Sequence, residues 1–75
     1  MDIKHFRIEF SRHALDRAMQ RKIHPDMVES TIKGGNIKRF GKNRIKFIKK
    51  FKNFTVICVG EMAGDNIKIV TIEKG

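Results

Sequence analysis

An α+β fold, two N-terminal helices packed on a three- or four-stranded antiparallel β-meander, is predicted by three observations. Apolar residues recur at helical spacing only between Ser11 and Gly35. From Ile37 onward the pattern changes to β-branched and Phe-rich runs, the composition of strands. Short connections join those runs in succession, as antiparallel neighbours allow. At 75 residues the chain is sized for one compact domain, residues 1–75, and any active site in it must be a shallow surface cleft.

Residues 6–10 alternate apolar with charged side chains and read as a short extended lead-in. Ser11 has the chemistry of a helix N-cap, and from Arg12 to about Lys22 the residues Ala14, Leu15, Ala18 and Met19 fall on one side, predicting a buried face. Pro25 suits the first position of a second helix, with His24 before it, Asp26 in its first turn and Gly34-Gly35 as its stop. Met27, Val28, Thr31 and Ile32 would pack that helix down. Strands are predicted over 37–40, 44–51, 54–61 and 66–73, separated by Gly41-Lys42-Asn43, Lys52-Asn53 and Met62-Ala63-Gly64-Asp65. In the second of these, Ile45, Phe47 and Phe51 alternate with Arg44, Lys46 and Lys50, while Ile48 and Lys49 break the phase and predict a bulge there. The third is apolar on both faces and is expected to be central.

The net charge is +9, and its distribution is uneven. Residues 30–60 contain no Asp or Glu, yet hold Lys33, Lys38, Arg39, Lys42, Arg44, Lys46, Lys49, Lys50 and Lys52. Elsewhere basic and acidic residues balance, so the whole excess lies in one segment. Such a segment favours a polyanionic partner over a merely solvated lysine-rich surface. The longest apolar run, residues 56–59, is far too short to span a bilayer, and the charged start from Met1 to Arg7 lacks the apolar stretch of a leader peptide. A soluble cytoplasmic protein without membrane partners is the expectation. A lone cysteine, Cys58, excludes an internal disulfide and a Cys-rich zinc site, and His5, His13 and His24 lack metal-ligand spacing. No cofactor or metal is expected.

His13, Arg17 and Arg21 follow one another at intervals of four, which places them on one helical stripe about 80° wide beside the apolar face. Histidine exchanges protons near neutral pH, and guanidiniums bind phosphate bidentately. That set suits metal-independent RNA cleavage, although an ordinary solvated helix face has the same spacing. His24 reads as a cap or turn residue, His5 as part of a flexible end, and Cys58 as a buried thiol. Helix-turn-helix DNA binding ranks low, because the would-be recognition helix carries Asp26 and Glu29 against the single cation Lys33.

The run Ser11-Arg12-His13-Ala14-Leu15-Asp16-Arg17-Ala18-Met19-Gln20-Arg21-Lys22-Ile23, the turn-helix ending in Gly34-Gly35, the basic strand and the closing Ile69-Val70-Thr71-Ile72 carry a resemblance over nearly the whole chain. The chain resembles a family of small bacterial and archaeal domains of unknown function with an S-x-H-A-x-x-R-x-x-x-R helix and a T-V-type final strand. That family is in turn similar to the RelE, barnase and colicin group of ribonuclease toxins, whose N-terminal helices pack on a curved antiparallel sheet. The resemblance implies a RelE-like endoribonuclease, the toxin of a toxin-antitoxin pair, with His13, Arg17, Arg21 and Thr71 in its site. His13 would be general acid or base, and Arg17 and Arg21 would hold the scissile phosphate. Among the basic residues, Arg39, Lys42, Arg44, Lys46 and Lys50 would guide the RNA backbone. An acidic antitoxin would cover an exposed edge at 37–40. The closing strand departs from relatives in which an aromatic follows, and with no Tyr in the chain a stacking role lacks an obvious residue. The alternative is a non-catalytic module binding RNA or an acidic protein.

Overall fold

Backbone pairing gathers the extended segments into one mixed five-stranded sheet. In the computed structural model, which describes residues 5–75, the chain runs β1 (Arg7–Phe10), α1 (Arg12–Gln20), α2 (Pro25–Gly34), β2 (Asn36–Phe40), β3 (Arg44–Lys50), β4 (Thr55–Ala63) and β5 (Asn66–Lys74). The sheet order is β1-β5-β4-β3-β2, so β4 is central, as its two apolar faces predict. Strands β2 to β5 pair antiparallel in succession, and β1 joins β5 in parallel. The expected three- or four-stranded antiparallel sheet is thereby corrected in both number and direction. The supposed lead-in is a strand, and both helices and three strands lie between it and β5, ample chain for a parallel connection. The charged start at Met1 to Lys4 lies outside the described residues. No described helix is long and apolar enough to cross a membrane.

Helix α1 starts where Ser11 caps it: its Oγ accepts from the Ala14 N–H at 3.0 Å. It ends at Gln20, short of the predicted Lys22, because Lys22 itself adopts a left-handed φ of 57°. Only Ala14 and Ala18 are buried, and the expectation that Leu15 and Met19 share their face is corrected: these are 50% and 77% exposed. The two alanines let α1 lie close against the sheet, and Leu15 and Met19 are carried onto the flank that rims an open groove. In α2, Val28, Thr31 and Ile32 are buried and Met27 packs against them. The buried Thr31 hydroxyl is satisfied by donating to the Met27 carbonyl at 2.7 Å. His24 occupies the N-cap position without a side-chain cap bond.

At the end of α2 the two glycines have different roles. A Cβ on Gly35 would stand 2.5 Å from the Thr31 carbonyl oxygen and 2.6 Å from that of Ile48, whereas one on Gly34 would meet nothing nearer than the Lys49 ammonium at 3.7 Å. Gly35→Ala is therefore expected to destabilise by about 1–3 kcal/mol, because two backbones must separate. Gly34→Ala should instead hold or raise stability by up to about 1 kcal/mol, since alanine restricts the unfolded chain and favours the helix. Equal urea midpoints for the two variants would contradict the close approach of α2 to β3.

The decisive irregularity lies in β5. Val59 pairs with Thr71 but Gly60 pairs with Ile69, so Val70 is an extra residue. This bulge lets Ile67, Ile69 and Ile72 all face the helices, and it turns Thr71 and Glu73 to the opposite, open face. Ser11 fastens α1 to it, its N–H donating to the Ile69 carbonyl at 2.9 Å and its Oγ to that of Val70 at 3.2 Å. Across the ladder Gly60 is required, because a Cβ there would come within 2.9 Å of Ile67 Cγ2. The bulge expected at Ile48-Lys49 is absent: β3 pairs with β4 without interruption from Arg44 to Lys50. The apparent phase break arises because Lys49 points to the helix side, where its ammonium donates to Ser30 Oγ, while Ile48 stays in phase on the open face opposite Ile57. Cys58 is fully buried, and desolvation pushes its thiol up to about 12, so it is protonated and unreactive at neutral pH.

Candidate nucleic-acid interface

With β3 in unbroken register, strict alternation sends Ile45 and Phe47 into the core and Arg44, Lys46 and Lys50 to the open face. Strand β2 adds Lys38 opposite Lys46, and Phe40 opposite Arg44. Cross-strand pairing continues one row as Lys38, Lys46, Val59 and Thr71, and the next as Phe40, Arg44, Glu61, Lys68 and Glu9. Neighbouring strands lie about 4.8 Å apart, so Lys46 and Thr71 are separated at the backbone by roughly 10 Å. Arg44 Nη2 stands 3.6 Å from Glu61 Oε1, and the Lys46 ammonium sits 5.3 Å from the centre of the Phe40 ring. Of the cations singled out in the sequence, Arg44, Lys46 and Lys50 converge on this face. Arg39 pairs with Ile45 and belongs to the other face, and Lys42 lies in the turn between β2 and β3.

The row that ends at Thr71 meets helix α1. Strand β1 accompanies β5 only as far as Ile69, and beyond that point Ser11 and α1 take its place along the margin of β5. From the end of α1, Arg21 Nη2 reaches Glu73 Oε2 at 2.9 Å, and Thr71 Oγ1 donates to Glu73 Oε1 at 3.0 Å. Arg21 Nε is buried and has no hydrogen-bond partner. Earlier on the same flank, Arg17 Nε donates to His13 Nε2 at 3.4 Å.

The site residues implied by the sequence thus form two contacts, His13 with Arg17 and Arg21 with Thr71 through Glu73. Among the described residues no hydrogen bond or ion pair joins one contact to the other, or joins His13 to Arg44 or Lys46. Glu73 is the member of this contact that helical spacing does not reveal, although a Thr-x-Glu spacing in a strand sets both side chains on one face. Lys38 and Phe40 were likewise not assigned to a site. No group of three or more His, Cys, Asp and Glu among the described residues is placed to hold a metal ion.

The other flank of α1 has no such chemistry. It borders a groove of about 540 Å³ lined chiefly by Ile8, Phe10, Leu15, Met19, Pro25 and Val28, with only the Glu29-Lys33 ion pair supplying charge. The polar and apolar flanks are therefore separate surfaces divided by the buried Ala14-Ala18 ridge.

The model of the domain of unknown function DUF4258 matches residues 10–74, and the chain belongs to that family. No curated protein and no solved structure matches it.

Proposed function

We propose that this domain is a RelE-like, metal-independent endoribonuclease that binds RNA across its open sheet face and cuts it where α1 borders β5. The observation that carries this reading is the row from Lys38 through Lys46 to Thr71, which leads from the acid-free part of the chain to the His13-Arg17-Arg21 flank. Lysines spaced along a sheet neutralise successive phosphates, and guanidiniums beside a histidine suit the phosphate that reacts. Once Arg17 turns from the His13 ring to the phosphate, His13 takes the proton of a ribose 2′-hydroxyl. The 2′-oxygen forms a bond to the adjacent phosphorus, the bond to the 5′-oxygen breaks, and that oxygen leaves with a proton from a solvent water, whose hydroxide is neutralised by the proton that His13 has taken. Arg17 and Arg21 balance the charge of the pentacovalent state. The products are a 2′,3′-cyclic phosphate and a 5′-hydroxyl.

As a toxin the domain would need an inhibitor. Strand β2 has no neighbouring strand on its outer side among the described residues and lies within the basic segment, which suits an acidic antitoxin that adds a strand. A second reading, RNA binding without cleavage, is favoured by one contact: Glu73 already neutralises Arg21, so a phosphate must displace or share it.

The test is incubation of RNA with the full chain in excess chelator, with end-group analysis for cyclic phosphates, alongside binding isotherms over a range of salt. Cleavage is expected. Replacing Arg44 and Lys46 together by Gln should make the log-log salt slope shallower by about 1.4 on single-stranded RNA, because two counterion-releasing contacts are lost. Binding with a steep slope but no cleavage by the native chain would leave the second reading, and no binding would end both.

A further inference from the structure

We propose that Phe40 is a stacking platform for one unpaired nucleobase, so that the RNA taken by the open face is single-stranded. The inference rests on the RNA-binding reading and adds to it the class of substrate. Phe40 ends the edge strand β2 and pairs with Arg44, which puts its ring on the open face and away from the core that Ile45 and Phe47 fill. It is 38% exposed, and its row continues into charged side chains, Arg44 and then Glu61. A large apolar ring in that setting gains little from burial. Its electrostatic setting is cationic, with the Lys46 ammonium 5.3 Å from the ring centre and Arg44 beside it.

An aromatic face next to cations is the arrangement that holds single strands: the base lies on the ring, and the cations meet the phosphates on either side. Among the described residues no strand flanks β2 on its outer side, so a base can approach the ring from there. In a duplex each base is already stacked on its neighbours and paired, and its faces are closed to a protein ring. Phe51 and Phe54 also lie under lysines, Lys49 and Lys74, but they are less exposed and stack on each other at 5.6 Å, while the exposed Phe10 lines the apolar groove on the helix side.

The absence of Trp and Tyr makes the test direct. Phe40→Trp installs the sole strong fluorophore, and Phe40→Leu keeps an apolar side chain while removing the aromatic face. The probes are a short oligoadenylate with 2′-O-methyl riboses, which cannot be cleaved, a duplex of the same length, and inorganic polyphosphate. The native chain should prefer the single strand to the duplex. Phe40→Leu should bind the single strand roughly tenfold more weakly with an unchanged salt slope. Phe40→Trp should keep the affinity, and its emission should be quenched by the oligonucleotide but not by polyphosphate. Unchanged affinity in folded Phe40→Leu, equal quenching by polyphosphate, or equal binding of the duplex would overturn the stacking site while leaving RNA binding intact. Failure of the native chain to bind either RNA would overturn the functional reading as well. Should Phe40→Leu fold poorly, the quenching comparison in Phe40→Trp decides alone.

Discussion

Folded His13→Ala is expected to cleave RNA about 10²- to 10⁴-fold more slowly than the native chain while binding it nearly as well. The two effects separate because a general base acts on the 2′-hydroxyl while Arg17, Arg21 and the sheet lysines meet the phosphates, so its removal takes away a proton acceptor and leaves the phosphate contacts in place. Arg17→Gln should behave differently. It removes a cation from the same flank, and its loss should appear in both the cleavage rate and the salt slope. Single-turnover rates in chelator, with anisotropy titrations over a salt series, read the two quantities separately. An unchanged single-turnover rate in folded His13→Ala would reject its role as base and move the proton transfer off α1.

That His13, Arg17 and Arg21 share a flank was legible from their spacing alone, because helical periodicity fixes which residues lie together. What opposes them was not. Glu73 is separated from Ile67 and Ile69 by an even number of positions, and an unbroken β5 would have turned it toward the core. Only the extra residue Val70 reverses that phase. The sequence does carry the sign of it, since the buried isoleucines 67 and 69 are two apart while 69 and 72 are three apart. The competing irregularity at Ile48-Lys49 drew the bulge to β3, where a lysine pointing inward at the sheet margin and bonded to Ser30 imitates a phase break.

Strand β1 illustrates a different limit. Four residues of alternating character are visible, but their partner in β5 lies almost sixty positions away, and no local turn chemistry announces a parallel pairing. The exposed Leu15 and Met19 show the same limit in a helix: periodicity identifies a face and says nothing of how much of it a neighbour covers. The cation cluster was legible as a cluster, and β-strand alternation then divided it, sending Arg44, Lys46 and Lys50 one way and Arg39 and Lys49 the other. A charge count along the sequence cannot make that division without the register.

Phe47→Ala should cost about 3–5 kcal/mol of stability. Phe47 is the largest of the fully buried side chains, flanked in register by Ile37 and by the buried Cys58, so its truncation leaves a cavity within the core. A domain of this length is held by roughly 4–11 kcal/mol in all, so the variant should be close to unfolding at room temperature. Lys46→Gln, one residue away on the opposite face, should change stability by no more than about 1 kcal/mol, since what it gives up there is the cation over Phe40. Urea denaturation of the two proteins measures this contrast. RNA binding sharpens it, because Phe47→Ala should lose affinity only as it melts, with binding that tracks the folded fraction through the transition. Lys46→Gln should lose affinity while fully folded. A Phe47→Ala midpoint within error of the native one would contradict the packing of β3 against the helices, and with it the alternation that places the cations of β3 on the open face.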